Sequence, residues 1–333
     1  MKLLKRSLLV LSSLLVASSS AAAADRPINT RLFGTRAIIA CDPVEKSCGM
    51  AVITFPSGAS GLVPYGRPDV AVASMSVPSV DDANAIIARI DKGEAPQAAI
   101  DNVLAVDPEG SIRQFAAVKL HPDGTVTVGQ RTGSEANPFT CAVKGSTFVV
   151  QANNMTVGSI CDAMVQGFQQ TRGSLPQRML ASLKAGARVG GDKNGERSGV
   201  IRVWNNTSAS APYTHVLAEA TVHGSMTALR DLEVQLIRHQ AGIAPPYAAD
   251  LVVLDRDTAR FMKRSLRRLG YYDGPMDGSW SAGAEQALAD FTWNNIFHDK
   301  PTVVENGVRK IDGVLVRFLA NTDLDVLLPA SAE

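Results

Sequence analysis

Residues 35–54 read Thr35-Arg36-Ala37-Ile38-Ile39-Ala40-Cys41, then Asp42-Pro43-Val44-Glu45-Lys46-Ser47, then Cys48-Gly49-Met50-Ala51-Val52-Ile53-Thr54. Arg36 to Cys41 and Cys48 to Phe55 are strand-length runs of mostly apolar residues, and the six residues between Cys41 and Cys48 have turn composition. The pattern predicts a β-hairpin. Such a hairpin sets Cys41 across from Cys48, which leaves Cys141 to pair with Cys161. An even cysteine count favours disulfides in an exported protein. The alternative is four reduced cysteines acting as small buried hydrophobes.

Downstream, the Gly/Pro/Ser-rich residues from Pro56 to Gly66 precede an apolar strand around Val70 to Val77. Ser79 begins a helix with Asp81 and Asp82 in its first turn, where carboxylates favour the helix dipole. Its apolar residues Ala83, Ile86, Ile87 and Ile90 keep helical spacing, and Pro96 opens a second helix. Arg113 to Leu120 and Thr125 to Gln130 read as strands joined by the turn His121-Pro122-Asp123-Gly124. A strand at Thr147 to Gln151 and helices at Val157 to Gln170 and Leu175 to Ala187 follow. Strands at Gly199 to Trp204 and His215 to Val222 and a helix at Thr227 to Gln240 end this part. Hairpins with helices grouped between them predict an α+β fold of packed sheets under helical layers, not a doubly wound array.

Upstream, Lys2, Lys5 and Arg6 precede the apolar run Leu8 to Val16, and small residues lead to Ala22-Ala23-Ala24 before Asp25. This is the pattern of a cleavable secretory signal over residues 1–24, which places the mature protein in the periplasm. No second apolar segment reaches membrane length, so stable insertion is not expected once the leader is removed. Roughly 310 residues then remain, enough for two domains. The 33 basic and 32 acidic residues balance to +1, which gives no electrostatic case for nucleic-acid binding. The five histidines fall in no His-x-x-x-His or His-Glu-x-x-His arrangement, so no metal site and no cofactor are expected. The oligomeric state is not legible.

Pro245-Pro246 marks a linker over 243–254. Beyond it the pattern turns helical, with no strand required until the end. Asp257 to Leu269 is amphipathic and stops at Gly270. The segment Leu269-Gly270-Tyr271-Tyr272-Asp273-Gly274-Pro275-Met276-Asp277-Gly278, with Ala287 and Phe291 in the next helix, resembles the peptidoglycan-binding domain. It departs from that pattern at Ala284-Glu285 and Thr292. The resemblance implies a small all-helical domain over 255–330 and peptidoglycan as partner. Tyr271, Tyr272 and Trp280 are its candidates for stacking on the ligand, and Asp273 and Asp277 for accepting hydrogen bonds.

The run from Thr35 through Asp42-Pro43 to Gly49-Met50-Ala51-Val52 is similar to the opening of domain of unknown function ten twenty-eight. Val63-Pro64, Gln151-Ala152-Asn153, Gly190-Gly191-Asp192 and Ser198 extend the match, and Trp293-Asn294-Asn295 also fits members of this architecture, so the resemblance runs from about Thr35 to Phe318. His223-Gly224-Ser225 departs from the family's Asp-Asp-His. That family is similar to the Ntn-hydrolases, which implies a four-layer αββα sandwich over 35–242. It also implies a catalytic Thr35 whose own α-amine serves as general base, since an amine of pKa near 8 is partly neutral at physiological pH. Gly34 before Thr35 then makes 25–34 a candidate propeptide. Asn153 is the candidate oxyanion donor and Asp192 a candidate ligand contact. An inert strand threonine is the alternative, since branched side chains suit strands. Two functions follow: a wall-associated amidohydrolase, or a non-catalytic wall protein on a hydrolase-derived scaffold.

Overall fold

The computed structural model describes residues 34–205, 215–244 and 246–321; the expected leader and most of the expected propeptide lie outside the described residues. The opening hairpin is β1 (Thr35–Asp42) and β2 (Ser47–Thr54), with Cys41 opposite Cys48. Asp42 shapes its turn, its Oδ1 accepting from the amides of Val44 at 2.8 Å and Glu45 at 3.0 Å. A short α1 (Ala59–Leu62) leads to β3 (Pro64–Arg67) and β4 (Val70–Ser76). Helices α2 (Val80–Asp91) and α3 (Pro96–Leu104) precede β5 (Arg113–Leu120), β6 (Val126–Thr132), β7 (Cys141–Lys144) and β8 (Phe148–Asn153). Then come α4 (Ile160–Gln170), α5 (Leu175–Arg188), β9 (Ser198–Asn205), β10 (Val216–Val222) and α6 (Ala228–Gly242). Ser79 caps α2, its side chain accepting from the Asp82 amide, as expected of a serine ahead of an acidic first turn.

One sheet runs β10-β9-β2-β1-β8-β7 and the other β3-β4-β5-β6. Along β1, Ala37, Ile39 and Cys41 pack against Ala73, Met75 and Val118 of the second sheet. The intervening Ile38 and Ala40 pack against Met164, Met179 and Leu183 of α4 and α5. Strands covered on both faces lose the polar alternation of a half-exposed strand, which is why β1 and β2 read as continuous apolar runs. The far face of the second sheet carries Val70, Val72, Phe115 and Ala117 against Ile86 and Ile100 of α2 and α3. The layers are therefore helix, sheet, sheet, helix. The fold is α+β, as expected.

The C-terminal region is helical: α7 (Arg256–Arg268), α8 (Ala282–Asn294) and α9 (Gly313–Asn321). Met262, Leu266, Phe291 and Phe318 form its core, joined by Ile237 and Ala241 of α6. The expectation that no strand is needed until the end is corrected. The strands β11 (Leu251–Val253), β12 (Val303–Glu305) and β13 (Val308–Asp312) form a small sheet, β11 falling within the expected linker. Pieces of three to five residues carry too little periodicity to announce themselves.

Both disulfides have the expected connectivity, Cys41–Cys48 and Cys141–Cys161. The second ties edge strand β7 to α4 across 20 residues, against 7 for the first. Removing it as a Cys141→Ser/Cys161→Ser pair should cost about 3 kcal/mol in the chain-entropy account, the larger loss of the two. Equal urea midpoints for the two serine pairs would refute that order.

Glu45, in the hairpin turn, accepts from the Leu175 amide at the start of α5 at 3.2 Å. Burial pushes its pKa up to about 7; Asp42 and Asp250 add to the rise, while the Leu175 amide and Arg178 oppose it. A carboxyl raised above its unfolded value favours folding while protonated, so this stability is lost as pH rises from about 4.5 towards 7. Glu45→Gln should therefore gain thermal stability over the wild type at pH 8 and little at pH 4. Parallel melting curves across that range would contradict it.

Candidate functional site

β1 begins at one end of the layer between the sheets. Thr35 pairs with Asn153 of β8 and Thr54 of β2, and Thr54 pairs with Ser198 of β9. Residues opposite one another share a face. That face is the one carrying Ala37, Ile39, Val52 and Val200 between the sheets. Four adjacent strands thus end in a polar row above an aliphatic core. The second sheet contributes Gln114, which accepts from Asn153 Nδ2 at 3.0 Å and donates to Thr132 Oγ1 at 3.1 Å and the Ala152 carbonyl at 3.2 Å. Thr35 is 8% exposed and Asn153 is fully buried.

The hydroxyls are ordered by counting protons. Thr54 Oγ1 donates to the Gly34 carbonyl at 2.7 Å. A hydroxyl has one proton, so in the 2.9 Å contact between Thr35 Oγ1 and Thr54 Oγ1 the donor is Thr35. The Phe55 amide, extending the ladder, reaches the same carbonyl at 3.4 Å. The carbonyl of the Gly34–Thr35 peptide bond therefore receives two donors.

Asp192 guards the other side of that bond. A Cβ on Gly34 would lie 2.2 Å from Asp192 Oδ2, so only glycine lets the carboxylate approach. Burial raises the Asp192 pKa to about 6, against the pull of the Asn194 amide, Arg36, the Gly34 amide and Asn154. Gly191, at φ +69, turns the loop that carries Asp192, and a Cβ there would crowd Glu196 and Arg36. Arg36 lies fully buried beneath, paired with Glu196 and donating to the Leu183 carbonyl at 3.1 Å. Burial lowers its pKa to about 9, with Asp192 acting the other way. A cleft of about 400 Å³ beside Asp192 and Glu196 reaches Thr227 and Arg230 at the start of α6. A larger cavity, about 660 Å³, opens at the far end of β1 beside Lys46, Lys119 and His121, and no expected site residue lines it.

The expected residues therefore form one group at the β1 end (Thr35, Asn153, Asp192) and another in the C-terminal region. In the second group the Tyr272 ring is 6% exposed and its hydroxyl donates to the Pro275 carbonyl at 3.0 Å. The ring packs with Met262, Leu266 and Phe291 in the core of this region. Tyr271 is half-buried, edge-on to Phe291 at 5.6 Å. Asp277 Oδ1 accepts from Lys263 Nζ at 2.9 Å, Ser279 Oγ at 2.7 Å and the Ser279 amide at 3.1 Å. The Lys263 and Ser279 bonds hold its pKa down to about 2. Asp273 is exposed, and its backbone carbonyl accepts from Arg267 at 3.0 Å. Trp280 is half-buried, its Nε1 donating to Glu285 Oε2 at 2.7 Å. Sequence reasoning passed over Thr54, Arg36, Glu196 and Glu285.

The model of the family of unknown function DUF1028 matches residues 35–229. The chain belongs to this family. A second family model, described as "Putative peptidoglycan binding domain", matches residues 245–319. The crystal structure of a DUF1028 protein from Silicibacter pomeroyi is similar at a TM-score of 0.56 and 22% identity, over 63% of this chain and 87% of that one. That likeness is one of fold. No curated protein matches the chain. No helix among the described residues is long and apolar enough to cross a membrane. The DUF1028 match brings no activity with it, and the peptidoglycan-type match supports cell-wall association.

Proposed function

We propose that this DUF1028 protein is an exported, wall-associated amidohydrolase of the N-terminal-nucleophile type, and that cleavage of its Gly34–Thr35 bond makes Thr35 the first residue. The observation that carries this reading is the chain of hydroxyls from Thr35 through Thr54 to the Gly34 carbonyl. Thr35 Oγ1 attacks the Gly34 carbonyl carbon, and the oxyanion is met by the Thr54 hydroxyl and the Phe55 amide. The C–N bond breaks and the Thr35 nitrogen leaves as an amine, taking up the proton that the hydroxyl gave. Water then hydrolyses the resulting ester, leaving a Gly34 carboxylate and a Thr35 with both its hydroxyl and a free α-amine.

In the mature enzyme that amine takes the hydroxyl proton as Oγ1 attacks a substrate amide, forming an acyl-enzyme. The role read for Asn153 changes in this proposal. Its Nδ2 is committed to Gln114, and its buried Oδ1 has no partner among the described residues. Oδ1 is thus an acceptor opposite Thr35, suited to hold the new α-ammonium group.

A non-catalytic wall protein is the second reading, supported by the burial of Thr35, 8% exposed. Intact-mass measurement of periplasmic protein separates the two. A chain beginning at Thr35 is the expected result, and one beginning at Asp25 would overturn the catalytic reading.

A further inference from the structure

Among the described residues, the most exposed aromatic side chain of the C-terminal region is not in the Tyr271-Tyr272 turn. Trp293, near the end of α8, is 83% exposed. An indole so exposed offers a large flat apolar face with a polar edge to a ligand. It continues a stripe on one face of α8: Gln286, Ala289 and Trp293 are spaced by three and four residues, so they stand in line over about 10 Å. Gln286 and Ala289 line a cavity of about 360 Å³ whose other walls include Trp280, Glu285 and Arg309.

The cavity is a built one. Glu285 takes the Trp280 indole N–H at 2.7 Å and the Thr302 amide at 2.8 Å, which fixes the plane of the ring at the cavity wall. Burial works against the Glu285 charge, but the bonds from Thr302 and Trp280 hold its pKa below the ordinary carboxylate value, so it stays ionised as a clamp. Arg309 is anchored through NH1, which donates to Thr302 Oγ1 at 2.8 Å and lies 3.9 Å from Glu285 Oε2, and its side chain is 42% exposed. One end of the stripe thus has a clamped indole beside a guanidinium, and the other a free indole.

We propose that the outer face of α8, from the Trp280–Arg309 cavity to Trp293, is the peptidoglycan-binding surface of this protein. The inference rests on the wall association proposed above and names where it occurs. The apolar faces of amino sugars suit the two indoles, which offer flat contact at little entropic cost. The free carboxylates of peptide stems suit Arg309, which presents a planar fork of donors. Gln286 lies between, with a side chain that already bonds Asp290 at 2.8 Å and can exchange that partner for a sugar hydroxyl.

Co-sedimentation of the full chain with insoluble peptidoglycan at low salt is the test. Trp293→Ala removes a side chain that is 83% exposed, so the fold should survive, and retention should fall about tenfold. Arg309→Ala should weaken retention severalfold and lose any further response when the stem carboxylates are amidated, a treatment that should weaken the wild type. A wild-type chain that stays in the supernatant would overturn wall association itself. Wild-type retention with both variants within about twofold would overturn only this surface. A Trp293→Ala variant that sediments normally but falls from dimer to monomer by light scattering would also overturn it, by assigning the face to a second copy of the chain.

Discussion

Thr35→Ala is expected to abolish cleavage at Gly34–Thr35, so that the protein recovered from the periplasm keeps Asp25 to Gly34, ten residues more than the wild type. Any amidohydrolase activity should vanish with it, because both the hydroxyl and the freed amine are missing. Thr35→Ser should still process and retain part of the activity, since it keeps the one functional group the step requires. The informative partner is Thr54→Val, which keeps the branched shape but removes the hydroxyl that donates to the Gly34 carbonyl. That carbonyl would be left with the more distant Phe55 amide, and loss of one oxyanion donor slows such steps by about 10²–10³-fold. Processing of Thr54→Val should therefore be slow yet go to completion, after which the mature chains are distinguishable from wild type only by that substitution. Thr54→Val processing at the wild-type rate would sink the assigned role of the relay. Thr35→Ala matching wild-type hydrolysis would sink the enzyme.

The sequence contained more of this site than its reading extracted. Once Cys41 faces Cys48, stepping six residues back along one strand and six forward along the other sets Thr35 opposite Thr54, as observed. Register follows from one fixed pair, because side chains on a strand repeat every two residues. The second hydroxyl was therefore legible from the hairpin alone. The approach of Asp192 to Gly34 was not. It depends on a loop more than 150 residues later whose course is set by tertiary packing, so the Gly190-Gly191-Asp192 match could mark Asp192 as a ligand contact but not as a neighbour of Gly34. Arg36 was hidden for a different reason. A charged residue at the second position of an apolar strand reads as an edge or exposed position, whereas here α5 and the Asp192 loop close over it and Glu196 answers its charge. In the C-terminal region the turn motif was legible but the bonds that hold it were not: the Tyr272 hydroxyl donates to the Pro275 carbonyl, and Asp277 accepts from Lys263, six residues before the motif begins.

Lys300→Met should be the most destabilising single change in the C-terminal region that leaves the apolar core intact. Lys300 and Asp312 are each 1% exposed at the side chain and meet at 2.7 Å. Lys300 Nζ also donates to the Ala244 carbonyl at 2.8 Å, and Asp312 Oδ1 accepts from the Val314 amide in the first turn of α9 at 2.7 Å. One buried pair thus joins the chain just beyond α6, the loop after α8 and the junction of β13 with α9. Methionine fills most of the lysine's volume but leaves Asp312 charged and buried without its cation and Ala244 without its donor. Removing one member of a buried pair costs about 3–5 kcal/mol, mostly as desolvation of the abandoned partner. Lys310→Met provides the contrast, since Lys310 meets Glu305 at 2.7 Å with both side chains partly in water, and such pairs contribute less than about 1 kcal/mol. Adding Asp312→Asn to Lys300→Met should recover part of the loss, because a neutral amide still accepts from Val314 and no longer needs a counter-ion. Trp280 is half-buried in this region and Trp204 lies in β9, so urea unfolding followed by tryptophan fluorescence in a Trp204→Phe background reads the effect. A Lys300→Met midpoint that coincides with that of Lys310→Met would show that the buried pair contributes no more than its exposed neighbour.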